Sequence, residues 1–495
     1  MKQNTTVMYF KSQKLNFMSC LLGLMLLVNH ASAQGVSIFS EDSHDSKLIT
    51  GKHRSAKITW GGLNNFNIEY RGDIEVNDTD TDVIGISPGG YLEISKTTFG
   101  SKRSIVIESS AGKLKKEYYE GRSLVNFEPD GRKWLAEILP DIVRSTGIAA
   151  KSRVDRFYRK GGVSAVLDEI SRLESSYVQS IYGKMLLKKE GLSDNELIRI
   201  VGDLSDEMDS DYYLADLLID ASDQFLKKEA TSAAYFEAVS NIGSDYYTAQ
   251  VLTKALKKYE PSEVVIGKIM NASRNIGSDY YQTVVLDEVL DLRDLNSSAL
   301  NEIIEAATNI GSDYYQTQVL SKAMKKEGLT TESFSKLMEA VSHVSSDYYM
   351  SSVFSNMLDN KLDEAVQVKM IVLLDENMNS DYYLSTVLSK MASEQRMGDK
   401  SMEQFAKAIG NMSSANYATS VIKSAAKADK IDKRSLIALI NACSEISSDY
   451  YLSSALESLS WHVNRSDEEV KSAYRAAAKH ISSDTYYGRA VKAID

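Results

Sequence analysis

The tetrapeptide Ser-Asp-Tyr-Tyr occurs seven times, with its aspartates at Asp211, Asp245, Asp279, Asp313, Asp347, Asp381 and Asp449. The first six stand 34 residues apart and the last gap is 68, two periods. At the skipped position the chain reads Ser414-Ala415-Asn416-Tyr417, and beyond Asp449 it reads Ser483-Asp484-Thr485-Tyr486-Tyr487. A fixed period of this length means a stack of supersecondary units, each burying its apolar face against the next.

One unit shows the expected construction. Ser312 stands where a helix cap belongs, and Asp313 places negative charge near the positive end of the helix dipole. Tyr314, Tyr315, Val319, Leu320 and Met324 follow at helical spacing. Lys325 and Lys326 then suit the C-terminal end, and Gly328 terminates the helix. A second helix begins near Thr331 and carries Phe334, Leu337, Met338, Val341 and Val344. Two antiparallel helices per period predict an α-solenoid of about nine units over residues 187–495, with the last copy, from Asp484, as a cap. The landmarks of tetratricopeptide units are missing despite the equal length. Only four prolines occur in the chain, which suits uninterrupted helices.

The rest of the chain reads differently. In residues 1–33, Lys2, Lys11 and Lys14 precede an apolar run over 15–28 and the small-residue site Ala31-Ser32-Ala33, the pattern of a cleaved secretory signal. The run is shorter than a bilayer span, and no transmembrane segment is expected after cleavage. The expectation is a chain secreted across the inner membrane and periplasmic in a Gram-negative envelope. Without the leader, 54 basic side chains face 68 acidic ones, a net of about −14, which argues against nucleic acid as a partner. Cys443 is then the one remaining thiol, so no internal disulfide forms.

Residues 34–130 alternate apolar and polar side chains in short runs, including 56–60, 66–70, 73–76, 91–94 and 104–108, which predicts a β-sandwich or a meander of hairpins. Residues 131–186 carry helical spacing in Trp134, Leu135, Ile138, Leu139, Ile142 and Val143, and again in Val163, Val166, Leu167 and Ile170. They read as a helical adapter, with Glu174-Ser175-Ser176-Tyr177 as a degenerate first repeat. The fold class is therefore α+β, mainly α: a small N-terminal antiparallel β domain followed by an α-solenoid of 34-residue helix-hairpin repeats.

The tyrosine pairs are the candidate stacking or binding rows: Tyr212 and Tyr213, Tyr246 and Tyr247, Tyr280 and Tyr281, Tyr314 and Tyr315, Tyr348 and Tyr349, Tyr382 and Tyr383, Tyr450 and Tyr451. A residue present in every unit makes the contact present in every unit, which points to packing between units. Adjacent tyrosines on a helix point about 100° apart, so burial of one leaves the other toward solvent in a row suited to peptide or glycan. The residue after the pair varies (Leu214, Thr248, Gln282, Gln316, Met350, Leu384, Leu452), as a site tuned by its neighbours or by a surface would.

Catalytic signatures are absent from the sequence. His44, His53, His343, His462 and His480 include no His-Glu-x-x-His pair, and no nucleophile elbow, phosphate loop or dinucleotide fingerprint occurs. Cys443 reads as a core thiol. Asp78, Asp80 and Asp82 alternate as calcium ligands do, but an EF-hand loop needs Gly and Glu where this chain has Val83 and Gly89, so a solvated acidic loop is expected. No metal and no cofactor is assigned.

The run 82–94, with Ser87-Pro88-Gly89-Gly90-Tyr91 at its centre, resembles the exported region of bacterial BlaR-type membrane metallopeptidase homologues. The resemblance continues through Trp134-Leu135-Ala136, Leu139-Pro140, Arg144-Ser145-Thr146-Gly147-Ile148, Gly161-Gly162-Val163, Glu169-Ile170 and the Ser-Asp-Tyr repeats. The multi-helix membrane domain and zinc motif of that family are missing here, so the resemblance implies an extracytoplasmic sensing or scaffold module and no peptidase activity. The reading is a non-enzymatic exported scaffold whose partner is a protein or peptide of the cell envelope. The alternatives are a module binding envelope peptide or glycan through its tyrosine rows, and an enzyme with a site in the β domain or at its seam with the adapter, built on clustered histidines or carboxylates with His53 as a candidate member.

Overall fold

The computed structural model describes residues 37–39, 55–60 and 65–494. The expected leader, His44 and His53 lie outside the described residues. The chain forms two compact units, Met1–Arg156 and Phe157–Asp495.

The first unit carries β1 (Ser37–Phe39), β2 (Ser55–Trp60), β3 (Asn65–Arg71), β4 (Ile74–Val76), β5 (Val83–Ile86), β6 (Tyr91–Thr98), β7 (Ser101–Ser110), β8 (Lys113–Glu120) and β9 (Ser123–Val125). Seven of these form one antiparallel sheet in the order β1-β2-β3-β6-β7-β8-β9, with β4 and β5 as a separate hairpin. The arrangement is a meander rather than a sandwich. Its register aligns Ile68 with Ile94, Ile94 with Ile105, and Ile105 with Tyr118, so one apolar row crosses four strands. A slip of one residue would turn that row to the other face.

A helix covers the apolar face. Helix α1 (Arg132–Thr146) buries Trp134, Leu135, Ile138, Leu139, Ile142 and Val143 in the same core as Ile68, Leu92, Ile94, Ile105 and Ile107. The Trp134 and Tyr118 rings lie 5.9 Å apart within it. The helix read as adapter from its spacing is by packing the second layer of the β unit. Helix α2 (Ala150–Ile170) kinks at Gly161 and Gly162, where Gly162 takes φ 62°, a backbone that side chains with a Cβ rarely adopt.

The second unit is built of helix hairpins. They are α3 (Ser176–Leu187) with α4 (Asp194–Glu207), α5 (Asp211–Phe225) with α6 (Glu229–Val239), and α7 (Asp245–Leu256) with α8 (Glu263–Arg274). Next come α9 (Asp279–Leu290) with α10 (Ser297–Ala307), α11 (Asp313–Ala323) with α12 (Thr331–Ser342), and α13 (Asp347–Met357) with α14 (Glu364–Asn377). Then follow α15 (Asp381–Glu394) with α16 (Asp399–Gly410), α17 (Ala415–Ala425) with α18 (Lys433–Cys443), α19 (Asp449–Asn464) with α20 (Glu468–Ala478), and α21 (Asp484–Lys492). Each first helix packs on the first helix of the next unit and each second helix on the next second helix. Two parallel rows of helices result, as the period requires.

Helix α11 ends at Ala323, earlier than its lysines suggested. Lys325 and Lys326 lie in the following turn, and Gly328 takes φ 87° there. The apolar reading of the unit holds: Val319, Leu320, Met324, Phe334, Leu337, Met338, Val341 and Val344 are all buried.

Candidate interaction surface

The Ser-Asp-Tyr-Tyr motif begins every first helix from α5 to α15 and again α19. The serine occupies the cap position but makes no capping bond through its side chain, in α11 as in the others. The expectation that Ser312 caps its helix is corrected here.

The aspartate does a different job: it fastens one unit to the next. The amide of Gly243 donates to Asp211 at 2.9 Å, that of Gly277 to Asp245 at 3.0 Å, and that of Gly311 to Asp279 at 3.0 Å. A second amide often joins. Ser312 donates to Asp279 at 2.8 Å, and Ser345 and Ser346 donate to Asp313 at 3.2 and 2.9 Å. Ser380 donates to Asp347 at 2.7 Å, Ser414 to Asp381 at 2.6 Å, and Ser482 and Ser483 to Asp449 at 3.2 and 2.8 Å. Each carboxylate thus satisfies amides just before the next first helix while standing near the positive end of its own. Six of the nine second helices use ordinary side-chain caps instead: Ser193, Asn296, Thr330, Asp363, Asp432 and Asp467.

The tyrosines form a ladder. Within a pair the ring centroids lie 5.0–5.1 Å apart, edge to face. Between units the first tyrosine meets the second tyrosine of the next unit. Tyr212 lies 5.9 Å from Tyr247, Tyr246 lies 5.8 Å from Tyr281, and Tyr280 lies 6.0 Å from Tyr315. Tyr314–Tyr349, Tyr348–Tyr383 and Tyr382–Tyr417 continue at 6.2, 6.0 and 5.8 Å. Tyr177 starts the series against Tyr213 at 5.6 Å. The contacts between units from Tyr212 onward are favourable edge-to-face geometries, and Tyr177–Tyr213 is tilted.

The two tyrosines of a pair differ in exposure. The first keeps between 38 and 57 % of its surface in water in all seven copies, and the second is half-buried. Burial raises the phenol pKa of Tyr213, Tyr247 and Tyr281. The first row therefore presents a periodic strip of half-open phenol rings. The residue after each pair is buried in every copy, so its variation answers neighbours within the fold. Thr248 donates to the Ile242 carbonyl at 3.2 Å, and Gln316 donates to that of Ala340 at 3.2 Å.

The ladder is interrupted once. Ala415 has no carboxylate for the amides before α19, and Asn416 has no ring for Tyr451. Beyond that junction Tyr450 meets Tyr486 at 5.8 Å. The Thr419 hydroxyl donates across the junction to the Tyr451 carbonyl at 3.2 Å.

The other candidates resolve into structural roles. The expectation of a solvated acidic loop is corrected at Asp80, which is buried and accepts from the buried guanidiniums of Arg153 and Arg156 at 3.0 and 2.7 Å, while Asp82 pairs with Lys116 and with Arg132. These carboxylates face cations rather than a shared centre, and no cluster of metal ligands forms among the described residues. Cys443 is buried, which pushes its thiol pKa up. The buried His462 lies 3.1 Å from the Ala426 carbonyl, while His343 and His480 are exposed. A cleft of about 310 Å³ in the β unit gathers Asp73, Glu75, Lys151 and Asp155. Another, of about 540 Å³, lies between array turns beside Lys325, Lys326 and Lys361. No helix among the described residues is long and apolar enough to cross a membrane.

No family model matches this chain, and no curated protein does. Among solved structures, one described as "Computational Design of Self-Assembling Cyclic Protein Homooligomers" aligns with 14 % identity over 70 % of this chain and 92 % of its own. Its TM-score is 0.09, too low to carry a structural argument.

Proposed function

We propose that the protein is a non-enzymatic, exported interaction scaffold of the bacterial envelope, and that its array holds a protein or peptide partner along the strip of first tyrosines. The observation that carries this reading is the half-open exposure of all seven first tyrosines, in register with the repeat. Tyrosine offers rigid contact area and a hydroxyl at low entropic cost, and repetition along a stack lets an extended partner engage several units at once. The leader-like pattern of residues 1–33 supports export. The order of motifs shared with the exported region of BlaR-type homologues, without their peptidase domain, supports a scaffold or sensing role.

The test is capture from the native envelope by the intact chain and by variants at Tyr280, Tyr314 and Tyr348, with circular dichroism on each. Replacing all three by Ala removes the open faces and is expected to abolish capture of a specific partner while the helices remain. Replacing them by Phe keeps the ring ladder and separates hydroxyl recognition from packing. Undiminished capture by the folded Ala variant would contradict the reading. Retention on isolated peptidoglycan, lost in the same variant, would make the strip a glycan site instead.

A further inference from the structure

The turn between β6 and β7 carries Phe99 at its tip with its whole side chain in water (105 % relative exposure) and φ 49°. Covering a fully exposed phenylalanine would gain the free energy of its burial, and here the ring sits at a turn tip beside a second exposed apolar side chain and a set of cations. Its surroundings have a consistent sign. Lys96 precedes it, and the exposed Lys102 and Arg103 follow. The β8–β9 turn is bonded to the same end of the sheet, since the Gly121 amide donates to the Lys102 carbonyl at 2.7 Å. That turn adds the exposed Arg122 and, at 62 % exposure, Leu124. Strand spacing puts β9 roughly 10 Å from β7.

Segments 96–103 and 120–124 thus hold four cations and one acid, Glu120, in a chain whose net charge is −11. None of the four cations forms an ion pair among the described residues, although the half-buried Lys96 rests its Nζ 4.6 Å over the Phe66 ring and Arg103 stands across from Glu120 in the sheet, so Lys102 and Arg122 are the most open of the four. Glu120 is engaged by the Tyr118 hydroxyl at 3.0 Å.

We infer that this end of the sheet is a docking tip for an anionic phospholipid surface. Phe99 enters the boundary between headgroups and acyl chains, and Lys96, Lys102, Arg103 and Arg122 meet the phosphates. An apolar wedge flanked by cations matches such an interface in both chemistry and depth. Neither half suffices alone: a soluble acidic partner leaves the phenylalanine uncovered, and an uncharged apolar partner leaves the cations unpaired.

The experiment is co-sedimentation of the full chain, lacking residues 1–33, with vesicles of phosphatidylglycerol and phosphatidylcholine and with vesicles of phosphatidylcholine alone. Binding is expected only to the anionic vesicles, and it weakens as salt screens the charges. The F99S variant should bind roughly tenfold more weakly. Each cation removed, as in K102Q or R122Q, should cost about fivefold. F99W should keep its affinity and shift its emission to the blue on anionic vesicles only. Absence of binding to anionic vesicles, or equal binding by F99S, overturns the inference. Heparin that displaces wild type and F99S alike from anionic vesicles, with F99S binding them as tightly, would make the tip a general polyanion site and also overturns it.

Discussion

Asp279 and Asp313 each accept two amides from the unit that follows, so removing either leaves two donors to find water beside a packed junction. Asp313→Ala is expected to destabilise the array by about 1–3 kcal/mol, read from urea unfolding. Asp313→Asn, which keeps acceptor geometry without the charge, should cost less. Of the second-helix caps, the carboxylates Asp363, Asp432 and Asp467 respond to pH. Asp363 accepts from the Val366 amide and the Thr331 hydroxyl, and these bonds hold its carboxyl below the usual carboxylate range. A carboxyl depressed in the fold contributes stability above its unfolded pKa of about 4 and loses it as pH falls through the native value. The stability gap between wild type and Asp363→Ala should therefore narrow as pH drops from neutrality through the unfolded and then the lower native pKa of this carboxyl, a comparison made by denaturant midpoints at each pH. The recurrence of the aspartate was plain in the sequence, but its partner was not. Periodicity says that a residue faces its neighbour, whereas the direction in which a short side chain reaches depends on how the preceding turn approaches the helix end. That is why the bond looked like an ordinary cap.

Among the elements, α17 and α19 meet at the one junction where the ring contact and the carboxylate bond are both missing. The sequence shows the worn copy, and the structure shows that its two changes fall on the two groups that join units elsewhere. This junction should open before its neighbours. Cys443 closes α18 beside it, fully buried and the one cysteine among the described residues. Native-state alkylation of Cys443 should therefore report that opening. The double substitution A415D/N416Y should slow labelling roughly tenfold, equivalent to about 1.4 kcal/mol, the order of one restored bond and one ring contact. Unchanged labelling would show that the missing groups contribute nothing to coupling. Helix α1 was legible as a helix with a covered stripe, but not as the second layer of the sheet. An i, i+3, i+4 pattern shows that one face is buried without naming what buries it.

Across the array, ion pairs also run between units, such as Lys228 with Asp194 at 2.8 Å, Lys390 with Asp359 at 2.6 Å and Arg434 with Asp399 at 2.7 Å. They are largely exposed, and each contributes at most about 1 kcal/mol. The apolar faces and the Asp-Tyr ladder carry the coupling, and stability should rise with each unit added as nearest-neighbour terms accumulate. The solenoid itself was readable from the period alone. The open strip was not, because the spacing of adjacent tyrosines leaves undecided which of the two turns outward, and only packing resolves it in favour of the first. The most direct test of that strip is photo-crosslinking in the native envelope with a benzophenone amino acid at position 314. The control places it at Val264, which is comparably exposed on a second helix. The account predicts a discrete crosslinked partner from position 314 and none from position 264. A partner trapped from 264 alone, or from both equally, would contradict it.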